Sequence, residues 1–259
     1  MAELETAPGR PEHISEQEWH HRVELATCYR VFDLLGWTAL IYNHISLRLP
    51  GEQDHLLINP FGLTYAEVTP SNLVKIDLDG NIIGHSEWPI NLAGLIIHSA
   101  VHAARPDVAV VIHTHTLSGS VVAGLRDGLD WNNFYSAQLY GHVAYHDFEG
   151  ATTEPGEKER LVAALGDKPL MILRNHGLLA AGPTIPAAWF LLWTLQRACD
   201  VQVATLSTGQ PLMEIDDEAR RRSAESILKV EGYGRDVAPG LGETAWAALK
   251  REVGVFWES

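Results

Sequence analysis

Cysteine is nearly missing from this chain: only Cys28 and Cys199 are present, which gives neither a disulfide framework nor a Cys-rich zinc module. A reducing compartment, the cytoplasm, is the expected location. Long apolar runs are missing too. No stretch approaches the roughly 18 apolar residues of a membrane span, and the N-terminus carries no basic segment followed by an apolar one, so no membrane contact is expected. Positive charge is scarce: 19 Lys and Arg against 33 Asp and Glu leave a net charge of -14. Such a surface repels a polyanionic backbone, which argues against nucleic acid as a partner. There is no internal repeat or low-complexity segment, and 259 residues suit one α/β domain with a sizeable core. What the chain does have is histidine, 13 in all. Scattered residues such as His20, His21 and His85 account for part of that number, so position must decide.

Residues 1–13, with Pro8, Gly9 and Pro11, show no apolar period and are expected to be a flexible tail before a single domain over 14–259. Ser15 with Glu18 forms a capping box, Ile14 and Trp19 can make a hydrophobic staple, and Leu25, Cys28, Tyr29, Phe32 and Leu35 recur at helical spacing up to Gly36. From Ala39 to Ile58 apolar and polar residues alternate in two runs broken at Pro50 to Asp54, as in a hairpin. A second such pair is expected over Val74 to Ile83 around Asp79-Gly80. Asn91 to Ala104 reads as a helix stopped by Pro106, and Val108 to Ile112 as a strand buried on both faces. Leu170 to Leu173 is another buried strand, followed by the Asn175-His176-Gly177 turn and the run Leu178 to Ala181. Thr184 and Pro186 open a long helix closing near Gly209; its part from Trp189 to Leu195 is apolar nearly all round and suits deep burial or a subunit interface. Two more helices are expected around Asp217 to Lys229 and Glu243 to Val255. This order implies a mixed sheet covered by helices.

His113 and His115 stand two apart at a strand end, so both rings project to one side. His176 directly follows the second buried strand and precedes Gly177, whose missing side chain permits a tight turn beside an ion. Three neutral imidazoles suit zinc, iron, copper or nickel and leave a position open for water or substrate. An isolated H-x-H pair is more often structural; the second strand-end histidine shifts the balance to a metal site. His98, on the preceding helix, is either a fourth ligand or a helix histidine bonded to backbone or water.

Over roughly residues 16 to 210 the chain resembles the class II aldolase/adducin superfamily, closest to the adducin head domain and its bacterial relatives. The segments that carry the likeness are Tyr42-Asn43-His44-Ile45-Ser46, Asn59-Pro60-Phe61-Gly62-Leu63, Val68-Thr69, Leu73-Val74-Lys75-Ile76-Asp77, Asn91-Leu92-Ala93-Gly94, Ala104-Arg105-Pro106-Asp107-Val108, Val143-Ala144-Tyr145-His146-Asp147 and Leu173-Arg174-Asn175-His176-Gly177-Leu178. The resemblance implies a three-layer α/β/α fold with a mixed, largely antiparallel sheet, a homotetramer, and a metal near a subunit boundary held by His113, His115 and His176. It also exposes departures. The position of the aldolases' acid/base glutamate is Gly94 here, and their phosphate-binding serine pair is Leu92 and Ala93. Ser86-Glu87-Trp88 imitates the aldolase tripeptide but falls out of frame.

Phosphosugar cleavage by the standard machinery is therefore not expected. A divalent ion on three neutral ligands keeps its positive charge and can hold an enolate, a 2-oxo acid or a catecholate. Tyr140, His142, Tyr145 and His146 form a polar-aromatic segment that either packs as a loop or supplies proton-transfer groups, Tyr140, His142 and His146 first, from a neighbouring subunit. Asn43 and Ser46 stand where relatives bind a substrate anion, or cap a turn. Three functions compete. The first is a metal-dependent lyase, of aldolase or decarboxylase type, on a small oxygenated, non-phosphorylated substrate through a metal-bound enolate, with zinc the first choice of ion and iron or manganese next. The second is a non-haem iron oxygenase on the same histidines; the third is a non-catalytic adducin-like scaffold. Adducin's spectrin and actin contacts need a long tail with a basic end, and only Lys250 and Arg251 stand near Ser259, so such binding is not expected.

Overall fold

The computed structural model describes residues 9–51, 54–150, 156–227 and 240–254, the side chain of Ala93 excepted. Its centre is a seven-stranded sheet in the order β3-β2-β1-β4-β7-β6-β5, made of β1 His44–Arg48, β2 Leu56–Ile58, β3 Val74–Ile76, β4 Val110–Thr114, β5 Val143–His146, β6 Leu170–Leu173 and β7 Gly177–Gly182. Every pairing is antiparallel except β5 with β6. That parallel pair needs a crossover, which the helix α5 Glu157–Leu165 provides; the shorter helices are α3 Leu117–Ala123, α4 Phe134–Gln138 and α7 Asp217–Ile227.

Alternation along the strands sends two sets of side chains to opposite faces. Val111, Leu179, Ala181, Met171 and Ala144 pack with Ile97 and Val101 of α2 Leu92–Ala104 and with Leu161 and Leu165 of α5. Val110, Ile112, Leu178, Ala180, Ile45 and Leu47 meet the larger layer built on α1 Glu16–Leu34 and α6 Ile185–Ser207. The result is the three-layer α/β/α sandwich expected. The long apolar stretch of α6 is answered by burial: Trp189, Leu191, Leu192 and Leu195 are all in the core, and α8 Glu243–Val253 lays Trp246 against Trp189 at 5.8 Å between ring centres.

Helix starts follow the sequence closely. The Ser15 hydroxyl accepts from the Glu18 amide at 3.1 Å, and the Thr184 hydroxyl from the Ala187 amide at 3.2 Å. Between helix and sheet, the buried Tyr29 hydroxyl accepts the amides of Ile45 (3.0 Å) and Asn59 (3.1 Å), locking β1 and the end of β2 to α1.

Three expectations change. The first run begins at His44 rather than Ala39, because Leu40 has a positive φ of 53° and Tyr42 donates back to the Ala39 carbonyl in a turn. The hairpin over Val74 to Ile83 shrinks to a single bridge between Ile76 and Ile82. There the Asp77 carboxylate takes the amides of Asp79 (3.0 Å) and Asn81 (2.8 Å), a side-chain turn that competes with ladder pairing. Val143 to His146 is an edge strand instead of a loop. The last two helices run Asp217–Ile227 and Glu243–Val253; Lys229 and Val255 lie outside the described residues, as do residues 1–8 of the expected tail.

Candidate metal centre

His113 lies on β4 and projects to the α2 side of the sheet; His115 follows the strand end, and His176 sits in the turn joining β6 to β7. Their Nε2 atoms converge, His113 to His115 at 2.8 Å and His113 to His176 at 3.2 Å. Among the described residues they form the one group of three whose ligating atoms all lie within 4.8 Å. Tetrahedral zinc with bonds of about 2.0–2.1 Å sets its ligand nitrogens about 3.3 Å apart, so the spacing fits one ion with little movement.

The tautomer fits as well. His113 Nδ1 lies 2.9 Å from the Leu178 carbonyl oxygen, an acceptor only, so Nδ1 carries the hydrogen and Nε2 presents its lone pair inward. Burial pushes the pKa of His113 well below the ordinary imidazole value, lowers that of His115, and takes His176 down to about 4. All three rings are neutral at pH 7, the form a metal requires.

The chain approaches itself closely here, which explains Gly177. A Cβ on it would lie 2.3 Å from the Thr114 carbonyl oxygen and 3.1 Å from the His115 ring. The turn's left-handed residue is Asn175, with φ 55°, so the glycine serves close approach to β4 rather than a special φ. Asn43 completes the frame. Its Oδ1 accepts the His115 amide at 3.1 Å, and its Nδ2 donates to the Trp37 carbonyl at 3.1 Å.

Beside the three histidines is a cavity of about 280 Å³ lined by Tyr42, His44, Phe61, Asn91, Gly94, Ile97, His115 and His176. None of these lining residues is Lys, Arg, Asp or Glu. Leu92 is exposed; the side chain of Ala93 lies outside the described part.

The remaining candidates fall in three places. Asn43 and Ser46 are buried beneath the site with their polar atoms engaged, Ser46 Oγ lying 2.6 Å from His98 Nδ1 and 2.8 Å from His102 Nε2. His98 uses its other nitrogen on His44 Nδ1 at 3.1 Å, so it stands one layer behind the three histidines. His146 ends β5, which runs in the same direction as β4, so it lies at the same end of the sheet as His113, near Glu149 (3.8 Å) and Glu157 (3.9 Å). Tyr140 and His142 precede β5 at the opposite end. There Tyr140 meets Trp131 edge-on at 5.5 Å, and His142 Nε2 lies 3.4 Å from the Ala224 carbonyl. Tyr145 accepts the Leu129 amide at 3.0 Å beneath the Arg174 guanidinium, 4.3 Å from its ring centre. Within one chain, none of these four lines the cavity.

The family described as Class II Aldolase and Adducin N-terminal domain matches residues 23–203. The chain belongs to the class II aldolase and adducin family. A crystal structure of an aldolase II superfamily protein from Pseudomonas syringae is similar over 93% of this chain and 94% of its own, with 44% identity and a TM-score of 0.85. The L-fuculose 1-phosphate aldolase of Glaciozyma antarctica PI12 superposes with a TM-score of 0.79 at 26% identity, covering 96% of this chain and 97% of the aldolase. α-Adducin of Rattus norvegicus is 41% identical over 89% of this chain, which spans only 32% of adducin's length. Class II aldolases use a divalent metal, and this chain presents a three-histidine group that could hold one. Among the described residues no helix is long and apolar enough to cross a membrane.

The site holds one feature that the sequence reading passed over. His44 is the cross-strand partner of His113, stacks on it with ring centres 5.2 Å apart, and lines the cavity. Two spacings could have found it: His44 and Ser46 alternate on a strand, and His98 and His102 stand one turn apart on a helix.

Proposed function

We propose that this chain is a metal-dependent lyase, of aldolase or decarboxylase type, acting on a small oxygenated and non-phosphorylated substrate. The observation that carries the reading is the convergence of three neutral Nε2 atoms beside a cavity whose described lining carries no Lys, Arg, Asp or Glu. His113, His115 and His176 would hold the ion, zinc by preference and iron or manganese next. Bound there with its full charge, a divalent ion supplies a Lewis acid for the negative charge that develops on an enol oxygen. Phe61, Tyr42 and Ile97 would screen the reacting end from water. Among the described residues the cavity lining has neither a cationic side chain nor a serine pair, which argues against a phosphate on the substrate. We further propose a cytoplasmic homotetramer, in which Tyr140, His142 and His146 act as proton-transfer groups at a neighbouring copy's site.

The test is enolisation. In heavy water, metal-loaded protein should exchange the C–H next to the carbonyl of at least one 2-oxo or hydroxy acid in a panel, followed by proton NMR. The rate should be at least about a hundredfold above buffer and should vanish in His176→Ala. Oxygen uptake by iron-loaded protein would favour the oxygenase. Retained metal with neither activity would favour the scaffold suggested by the likeness to α-adducin.

A further inference from the structure

We propose that His44 contacts the substrate, standing in the space where the family's aldolases carry their glutamate, and that His98, Ser46 and His102 hold its ring in place. The ligand class is a small 2-hydroxy or 2-oxo acid, and the proposal rests on the metal-dependent reading above. Its starting point is Gly94. A Cβ built there would lie 2.5 Å from both His44 Cδ2 and Nε2 and 2.8 Å from Cε1. The imidazole edge therefore fills the volume that any side chain at position 94 would need. The missing carboxylate and the ring are one exchange: glycine on α2 makes room for histidine on β1.

The ring is oriented from behind. His44 Nδ1 meets His98 Nε2 (3.1 Å), His98 Nδ1 meets Ser46 Oγ (2.6 Å), and the same Oγ meets His102 Nε2 (2.8 Å). All four residues are buried, from 0% to 4% exposed, in surroundings that disfavour charge on any ring. Each link carries one hydrogen. Two arrangements keep every ring neutral. With a hydrogen on His102 Nδ1 each link donates from the His44 side and His44 Nε2 is an acceptor; with none there each link is reversed and His44 Nε2 is a donor. Passing from the second to the first releases a proton from His44 Nε2 and takes one up at His102 Nδ1. Among the described residues the Nε2 of His44 has no hydrogen-bond partner, and His44 lines the cavity together with His115 and His176.

Charge decides the ligand class. A glutamate would place a negative charge beside the metal and oppose a second carboxylate. With neutral His44 in its place, three neutral ligands and no acidic lining among the described residues, the site would accept an acid whose carboxylate and 2-oxygen both approach the ion. His44 would then bond the 2-oxygen, while His98, Ser46 and His102 act as positioning residues.

The experiment uses metal-reconstituted full-length protein and oxalate, a planar dianion with the oxygen arrangement of an enolised 2-oxo acid, titrated by calorimetry alongside metal analysis. His44→Leu is expected to lose about tenfold or more in oxalate affinity with its metal retained, and His44→Gln, whose amide both donates and accepts, to lose less. In wild type the ring 15N resonances of His44 should move when oxalate is added, and Ser46→Ala should alter their starting values. Unchanged affinity in His44→Leu, or unmoved His44 resonances in the oxalate complex, would overturn the role of His44. Wild type that keeps its ion but does not bind oxalate would overturn the ligand class. Wild type without an ion would remove the metal reading itself and this proposal with it.

Discussion

Gly177→Ala should destabilise the fold and empty the metal centre together. The added carbon would sit 2.3 Å from a backbone oxygen of β4, at Thr114, so relief requires the β6–β7 turn or the end of β4 to move. Overpacking of a well-ordered interior costs about 1–3 kcal/mol, and a backbone contact is the least yielding kind. The displaced elements carry His113, His115 and His176, whose nitrogens now lie within 4.8 Å of one another, and about an ångström of movement is enough to spoil a ligand set. The expected outcome is a lower urea midpoint and at least about tenfold weaker zinc binding. An alanine variant with wild-type midpoint and affinity would show that the turn is looser than described. Gly166→Ala is a poor control because that residue has φ 57°; Gly9, open and without positive φ, is the proper one.

Metal-free protein should lose several kcal/mol of stability between pH 7 and pH 5. His98 and His102 are neutral in the fold, held at about 3 chiefly by burial, with His102 next to His98 and the Arg48 guanidinium next to His102 as the further causes. In the unfolded chain they take up protons near 6.5. Below that pH the unfolded chain binds more protons than the folded one, so their contribution is complete above 6.5 and declines as pH falls towards 3. At about 1.36 kcal/mol per pH unit for each ring, the pair gives a loss of about 4 kcal/mol by pH 5. His44, His113 and His176 are depressed in the same direction and steepen the decline. A domain stable by about 5–15 kcal/mol comes close to unfolding on that account. Urea midpoints at pH 7 and pH 5 measure it, and equal midpoints would contradict the buried neutral cluster. Bound metal should oppose the loss, because it keeps its ligands deprotonated.

Much of this architecture was readable because local chemistry and fold agree. Ser15 and Thr184 cap the helices they were expected to cap, and the apolar runs at Val110, Leu170 and Leu178 are strands covered on both faces. The convergence of His113, His115 and His176 was legible because each sits at a strand end, where direction is fixed by alternation. The edge strand β5 was not. Its Val143-Ala144-Tyr145-His146 is short and polar at its end, and only parallel pairing with β6, through α5, gives it a place. Gly94 was recognised as a departure from the aldolases, but its compensation required knowing that β1 lies under α2. That contact joins residues 54 positions apart, and nothing local announces it.

The central claim, that His113, His115 and His176 hold a divalent ion, is tested most directly by elemental analysis of untagged protein purified without oxygen, beside His113→Ala. The expected result is about one zinc, iron or manganese per chain in the wild type, and less than about a tenth of that in a variant shown by circular dichroism to be folded. Equal metal in both proteins, or none in either, would contradict it.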